Sequence, residues 1–424
     1  MRSHLLSLVA IIAATAIFQL SNSVLTSLIP IRLGLAEVGG LATSLVATAF
    51  SAGFLLGCLR VVRIIRSVGH IRAFAAFAGA TATTTLMLQV WNEPVFWFVL
   101  RMVQGACLAG LFTVADSWIN ERTPNTVRGQ ILGVYSIVIT CALVGGQLLL
   151  YFFDVTSAIL VMVVSGLFSL ALIPVALTTS ISPEPPEVGT VNPWRLYKQA
   201  PAAVFGCFVV GAMGAALLNM SPYFLTSVAV PAAQIGLFMG TIHVTRLVLQ
   251  WPVGLLSDLL DRRVVIVASS VLIVVLAAVF AFNSPGGGQE FHDPSLEMGK
   301  WIAFGLFGLL GAFSMMLYSV CIAHAHDRGS PEESVAITST LLLVWSVGAM
   351  VGLLVLGVLI EIGGGLVVFW FTGGMAAMLA IHTGWRMVHR EAPEQTGRFR
   401  AIPDTSPVIS ELEPSPEEHG HEDE

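Results

Sequence analysis

Twelve long apolar stretches run through the chain of 424 residues, and its arginines and lysines fall almost entirely into alternate segments between them. A bilayer core needs about 20 apolar residues per helix, whereas core helices of water-soluble domains are usually shorter and keep a polar face. The stretches cover 5–30, 41–62, 73–92, 95–117, 130–152, 155–178, 201–224, 233–256, 264–283, 300–322, 335–360 and 365–388. They read as twelve transmembrane helices of an all-α integral membrane protein. Composition agrees: 55% of residues are hydrophobic, 11% are charged and the mean hydropathy is +0.83. A water-soluble chain of this length would expose far too much apolar surface.

Of the 20 basic residues, 16 lie at the amino end, in or at the edge of every second connection, or in or at the edge of the tail. They are Arg2; Arg60, Arg63, Arg66 and Arg72; Arg122 and Arg128; Arg195 and Lys198; Arg262 and Arg263; Arg328; and Arg386, Arg390, Arg398 and Arg400. Arg32 and Lys300 fall on the other side, and Arg101 and Arg246 lie within spans. By the positive-inside rule both termini are expected in the cytoplasm. Arg2 before an apolar run could suggest a signal peptide, but the run is too long and no small-residue cleavage site follows it. The five cysteines, Cys58, Cys107, Cys141, Cys207 and Cys321, sit singly in spans and read as small packing residues.

The organisation reads as two halves, 1–178 and 201–388, joined by a Pro- and Glu-rich central cytoplasmic loop over 179–200. The net charge of −6 owes much to a Pro-, Ser- and Glu-rich segment, 389–424, read as a disordered acidic cytoplasmic tail. An internal repeat supports the halves. Glu121-Arg122-Thr123-Pro124 after span four has a counterpart in Asp327-Arg328-Gly329-Ser330-Pro331 after span ten. Parallel six-span halves characterise one transporter architecture.

Gln250-Trp251-Pro252-Val253-Gly254-Leu255-Leu256-Ser257-Asp258, continuing to Asp261-Arg262-Arg263, resembles the glycine, aspartate and paired-basic loop motif of the major facilitator superfamily (MFS). A degenerate copy, with Gly53, Gly57, Arg66, Gly69, His70 and Arg72 but no aspartate, lies in the first half. Arg101-Met102-Val103-Gln104-Gly105 resembles that family's fourth-helix motif. With Asp116 to Glu121 and Arg128-Gly129, the pattern is most similar to its bacterial YcaD-like branch. The resemblance covers 5–388. It implies the MFS fold of two pseudo-symmetric six-helix bundles, a bacterial cytoplasmic (inner) membrane location and secondary active transport of a small molecule by alternating access. Spans five and eleven lack the glycine-proline pair of the superfamily's antiporters, so the direction of transport stays open.

An aspartate beside an arginine at a helix end can latch neighbouring spans in one conformation only. Asp258 with Arg262, and Asp116 with Arg63 or Arg66, are the cytoplasmic gate candidates. Charges at membrane depth are costly and generally face a cavity or partner. Arg101 lies seven residues after Pro94, about 10 Å below the outer boundary at 1.5 Å per residue, and shares a face with Gln104. His243, Arg246 and Gln250 follow at i, i+3 and i+7 on one stripe. Asn22 and Asn219 occupy equivalent spans, with Pro30 and Pro222 placed to break their helices and free carbonyls. These seven residues, Asn22, Arg101, Gln104, Asn219, His243, Arg246 and Gln250, are the substrate-cavity candidates. Two arginines without a mid-membrane carboxylate favour an anionic or zwitterionic cargo, and His243 is the residue best suited to carry a coupled proton.

No basic groove with interleaved aromatics points to nucleic acid, and no GxxxxGK[ST] segment points to ATP. No cofactor or metal is expected. His324, His326 and Asp327 form the one cluster a membrane enzyme could use, and they read more simply as the cap of span ten. An enzyme is not expected; a transporter-fold sensor or scaffold without transport is the alternative. The remaining partners are a small-molecule substrate, the lipid bilayer and protons, with the chain acting as a monomer.

Overall fold

The structure is a computed structural model, and it describes residues 2–123, 127–178, 191–283, 297–330 and 333–389. The expected acidic tail and most of the central loop lie outside the described residues. Fourteen helices follow one another: α1 (Arg2–Leu35), α2 (Gly40–Val68), α3 (His70–Met87), α4 (Pro94–Arg122), α5 (Arg128–Phe152), α6 (Ala158–Leu170), α7 (Leu172–Ala176), α8 (Pro193–Gln199), α9 (Pro201–Ser227), α10 (Ala232–Leu259), α11 (Arg262–Asn283), α12 (Glu297–His326), α13 (Ser334–Gly363) and α14 (Val367–His389). There is no strand among the described residues. Counting α6 and α7 as one span, 11 of the helical segments are long and apolar enough to cross a membrane.

The segment that falls short is α3, which packs within the bundle against α4 and α6 all the same. Its first turn carries His70 and Arg72 and its second half four threonines, but the threonine hydroxyls are occupied within the helix. Thr81 donates to the Phe77 carbonyl at 2.8 Å, Thr83 to Gly79 at 2.8 Å, Thr84 to Ala80 at 2.8 Å and Thr85 to Thr81 at 2.7 Å. The helix also ends at Met87, not at the expected residue 92. Residues 88–90 turn instead, with the amide of Val90 bonded to the Met87 carbonyl at 3.0 Å. A single residue separates α2 from α3. Gly69 has φ +84° and returns its N–H to Ile65 at 2.8 Å, a left-handed helix ending that suits glycine. Within the expected central loop, α8 is started by Asn192, whose side-chain oxygen accepts the Trp194 N–H at 2.9 Å, and by Pro193 in the first turn.

Packing repeats with a period of six spans. In the first half α2 packs on α4, α1 on α5, and α3 on α4 and α6; in the second, α10 packs on α12, α9 on α13, and α11 on α12 and α14. Glycines set the closest of these approaches. A Cβ on Gly53 would collide with the Met102 carbonyl and one on Gly105 with the Phe50 carbonyl, so α2 and α4 touch backbone to backbone. Gly211 meets the Trp345 carbonyl and Gly348 the Phe208 carbonyl in the same way between α9 and α13. The halves meet through α2 with α13, α5 with α10, and α1 with α9.

The expected breaks at Pro30 and Pro222 do not occur. Both prolines lie inside continuous helices, α1 and α9. A proline removes only one N–H from the ladder, and helices held along their length by neighbours stay whole around it.

Candidate functional site

Between the halves lies a cavity of about 190 Å³, far above the roughly 10–15 Å³ that one water needs. Five of the seven sequence-derived cavity residues line it: Asn22 from α1, Arg101 from α4, Asn219 from α9, and His243 and Arg246 from α10. The close approach of α2 to α4 shapes one wall. With the Phe50 carbonyl against Gly105, the Phe50 ring covers Arg101, whose Cζ lies 4.2 Å from the ring centroid. Arg101 is 2% exposed, and its Nη1 donates to Gln104 Oε1 at 3.1 Å. Gln104 in turn donates to Thr85 Oγ1 at 3.3 Å and does not reach the cavity, acting behind Arg101. Gln250 is a half-buried residue of α10 outside the cavity lining.

On the second half, Arg246 is half-buried, and its Nη1 faces Met315 Sδ at 4.0 Å. His243 is buried on the same stripe, and its Nδ1 has no hydrogen-bond partner among the described residues. Asn219 donates to the Ala215 carbonyl of its own helix at 2.9 Å, and Asn22 to Gln19 at 3.5 Å. No aspartate or glutamate lines the cavity among the described residues.

Sequence reasoning assigned no chemistry to span five and so missed Gln147. This buried amide donates to the Ser23 carbonyl and to Ser23 Oγ, each at 2.9 Å, and accepts from Ser27 Oγ at 3.0 Å. It ties α5 to α1 along the cavity wall. The signal was the preceding Gly145-Gly146 pair. A Cβ on Gly146 would collide with the Leu20 carbonyl, and that close approach is what brings the amide to α1.

At the end of the bundle where α1 starts and α14 finishes, Arg262 is the centre of a buried cluster. Its Nε donates to Asp327 Oδ2 at 2.6 Å and its Nη1 to Ser257 Oγ at 3.2 Å, while Asp258, the partner read from the sequence, stands at 3.8 Å. Asp327, assigned only a capping role from sequence, is therefore the nearer carboxylate. Beside it, burial works to raise the Asp261 carboxyl, but hydrogen bonds from the side chain and backbone of Arg263 outweigh this and hold it below the usual range. Asp116 is fully enclosed and accepts from Tyr135 at 3.2 Å. Arg63 and Arg66 lie exposed on α2.

The opposite end carries hydrogen bonds between the halves. Glu361 of α13 accepts the Leu41 N–H in the first turn of α2 at 3.0 Å, and Tyr223 of α9 donates to the Val38 carbonyl at 3.1 Å. Gly357 abuts Ser44, and Gly236 abuts the Gln147 carbonyl. Arg32, an exception to the charge alternation, is consumed locally. Its guanidinium donates to the carbonyls of Val155 at 2.6 Å and Ser157 at 2.8 Å.

A duplicated six-helix bundle around a central cavity is the architecture of a membrane transporter class. Comparison with known proteins is consistent: the family model of the Major Facilitator Superfamily matches residues 11–287 and 203–413, and the chain belongs to that family. An uncharacterized MFS-type transporter of Yersinia enterocolitica is 25% identical over 392 residues, covering 91% of this chain and 96% of the relative. The uncharacterized MFS-type transporter YcaD of Escherichia coli is 25% identical over 348 residues, 81% of this chain and 86% of its own. Among solved structures, the nucleoside transporter NupG superposes with a TM-score of 0.70 at 15% identity, covering 92% of this chain and 100% of that one. An inward-facing bacterial homologue of the lysosomal transporter Spinster superposes with 0.71 at 14% identity, covering 92% and 99%. The protein is thus a multi-pass membrane protein with the transporter fold of its relatives, as the sequence motifs implied.

Proposed function

We propose that the protein is a secondary active transporter of the bacterial inner membrane that moves an anionic or zwitterionic small molecule by alternating access. The observation that carries this reading is the cavity between the halves, into which each half brings an arginine and no described residue brings a carboxylate. Two guanidinium groups in a low-dielectric site attract a negative group strongly and repel cations. The halves run over 1–178 and 201–388, the segment 179–200 connects them on the cytoplasmic side, and 389–424 forms a cytoplasmic tail. Both termini are cytoplasmic, in keeping with the charge alternation.

The hydrogen bonds of Glu361 and Tyr223 join the halves at the outer end, which supports an inward-facing arrangement. Transport requires them to part while the cytoplasmic ends close, and Asp116, Asp258, Arg262 and Asp327 lie where that closure would occur. Transport is ion-coupled, and His243 in the cavity is the group that carries a proton. One chain supplies the complete cavity and acts as a monomer.

The test is uptake into proteoliposomes containing the purified protein, across panels of organic anions, zwitterions and cations, with and without a pH gradient. Saturable anion or zwitterion uptake that responds to the gradient is the expected result. Preference for organic cations overturns the charge assignment, and absence of transport across all panels overturns the transporter reading in favour of a sensor.

A further inference from the structure

We infer, resting on the anionic reading above, that the cargo is an organic monoanion with a flat apolar body, its charged group seated against Arg246. The two arginines are not equivalent. Arg101 is sealed: its face is covered by Phe50, Nη1 is engaged by Gln104, and Nε is enclosed without an acceptor. It contributes a positive field but offers a ligand almost no surface. Arg246 is half-buried on the cavity wall, and the one hydrogen-bond contact of its guanidinium among the described residues is a thioether sulfur at 4.0 Å, a weak acceptor. Its donor fork is open to a carboxylate, which a guanidinium binds in two-point fashion.

The remainder of the lining decides the body of the cargo. Phe50, Phe54 and Phe112 from the first half and Trp345 from the second present aromatic surface, joined by Leu108 and Met239. A second carboxylate on the cargo would meet this wall, where nothing pairs with it, and charge stripped of water without a partner is strongly disfavoured. An aromatic ring or similarly flat apolar group meets aromatic faces that it can stack on or pack against edge to face. Asn22 and Asn219 supply a narrow polar strip for a hydroxyl or amide on the body. The seat comes from the second half and three of the four aromatic side chains from the first, so a bound cargo of this kind spans the surface along which the halves move.

The experiment measures thermal stability of the purified full-length protein with aromatic monocarboxylates (benzoate, 1-naphthoate, indole-3-acetate), benzamide, succinate, inorganic phosphate and benzylamine. Aromatic monocarboxylates should stabilise it in a saturable way, benzamide and succinate should not, and Arg246→Gln should weaken the effect at least roughly tenfold. Arg246→Lys keeps the charge and should retain measurable binding, which separates loss of the seat from loss of the fold. Trp345→Leu should weaken naphthoate more than benzoate. Stabilisation that persists in Arg246→Gln overturns the seat. Stabilisation by succinate or phosphate but not by the aromatic acids overturns the monoanion assignment while leaving the anionic reading intact. Stabilisation by benzylamine alone overturns both.

Discussion

Replacing Asp327 by asparagine should damage the protein far more than replacing Asp258, although Asp258 is the carboxylate four residues from Arg262. Arg262 and Asp327 are 1% and 2% exposed and meet at 2.6 Å, with a second contact at 3.4 Å. Breaking a pair so enclosed leaves a buried cation short of its counter-charge, which costs about 3–5 kcal/mol where nothing else compensates. Asp258 at 3.8 Å and Ser257 at 3.2 Å soften that loss, so roughly 2–4 kcal/mol is expected for Asp327→Asn. Asp258 is 28% exposed and makes a longer contact across the turn between α10 and α11, and partly exposed ion pairs of this kind are worth about 0.2–1 kcal/mol. Thermal unfolding of purified protein, followed by tryptophan fluorescence, should show a Tm lowered by roughly 2–5 °C for Asp327→Asn and by about 1 °C or less for Asp258→Asn. An Asp258→Asn protein as unstable as Asp327→Asn would refute the reasoning.

The outer-end contact is tested by Glu361→Ala, which removes a carboxylate from the amino end of α2. Labelling of a cysteine placed at Ser51 in the cavity, by an impermeant maleimide added outside cells expressing a background without native cysteines, should accelerate roughly two- to fivefold; an unchanged rate would show that the contact does not hold the outer end shut. Gly53→Ala forces a methyl into the Met102 carbonyl and should destabilise by about 1–3 kcal/mol, whereas Gly79→Ala, facing open space within α3, should be neutral or stabilising by up to about 1 kcal/mol; denaturation of the two variants side by side checks this. Asp261 is held below its ordinary 3.8, so its contribution to stability is complete well above that pH and is lost as pH falls through its lowered value; the Tm of Asp261→Asn should lie below wild type at neutral pH and converge with it in acid.

The spans were legible because each carries its own evidence: a run of apolar residues needs no knowledge of its neighbours. The same holds for the His243 and Arg246 stripe, where spacing along one helix places both groups on one face. What sequence could not show were relations across helices. That Phe50 seals Arg101 follows from Gly53 and Gly105 drawing two helices together, and no spacing within either helix encodes the crossing point. Asp258 was chosen as the partner of Arg262 because it is near in sequence; Asp327 is 65 residues away along the chain and nearer in space. Glu361 was visible only as an acid near a span end, since its role depends on which helix start from the other half arrives beside it. Proline was overread at Pro30 and Pro222 for the complementary reason, that packing on neighbouring helices can outweigh a local preference.

The threonines of α3 have a consequence for how such chains enter a membrane. A threonine whose hydroxyl is bonded one turn back along its own helix shows its surroundings mainly a methyl group, and Thr83 does so on the outer surface of the bundle. The threonine polarity of this segment is thus largely met before any neighbour arrives. Its hydroxyls therefore add little to the cost of entering oil, and the groups that remain costly, His70 and Arg72, sit together in the first turn where the membrane surface lies.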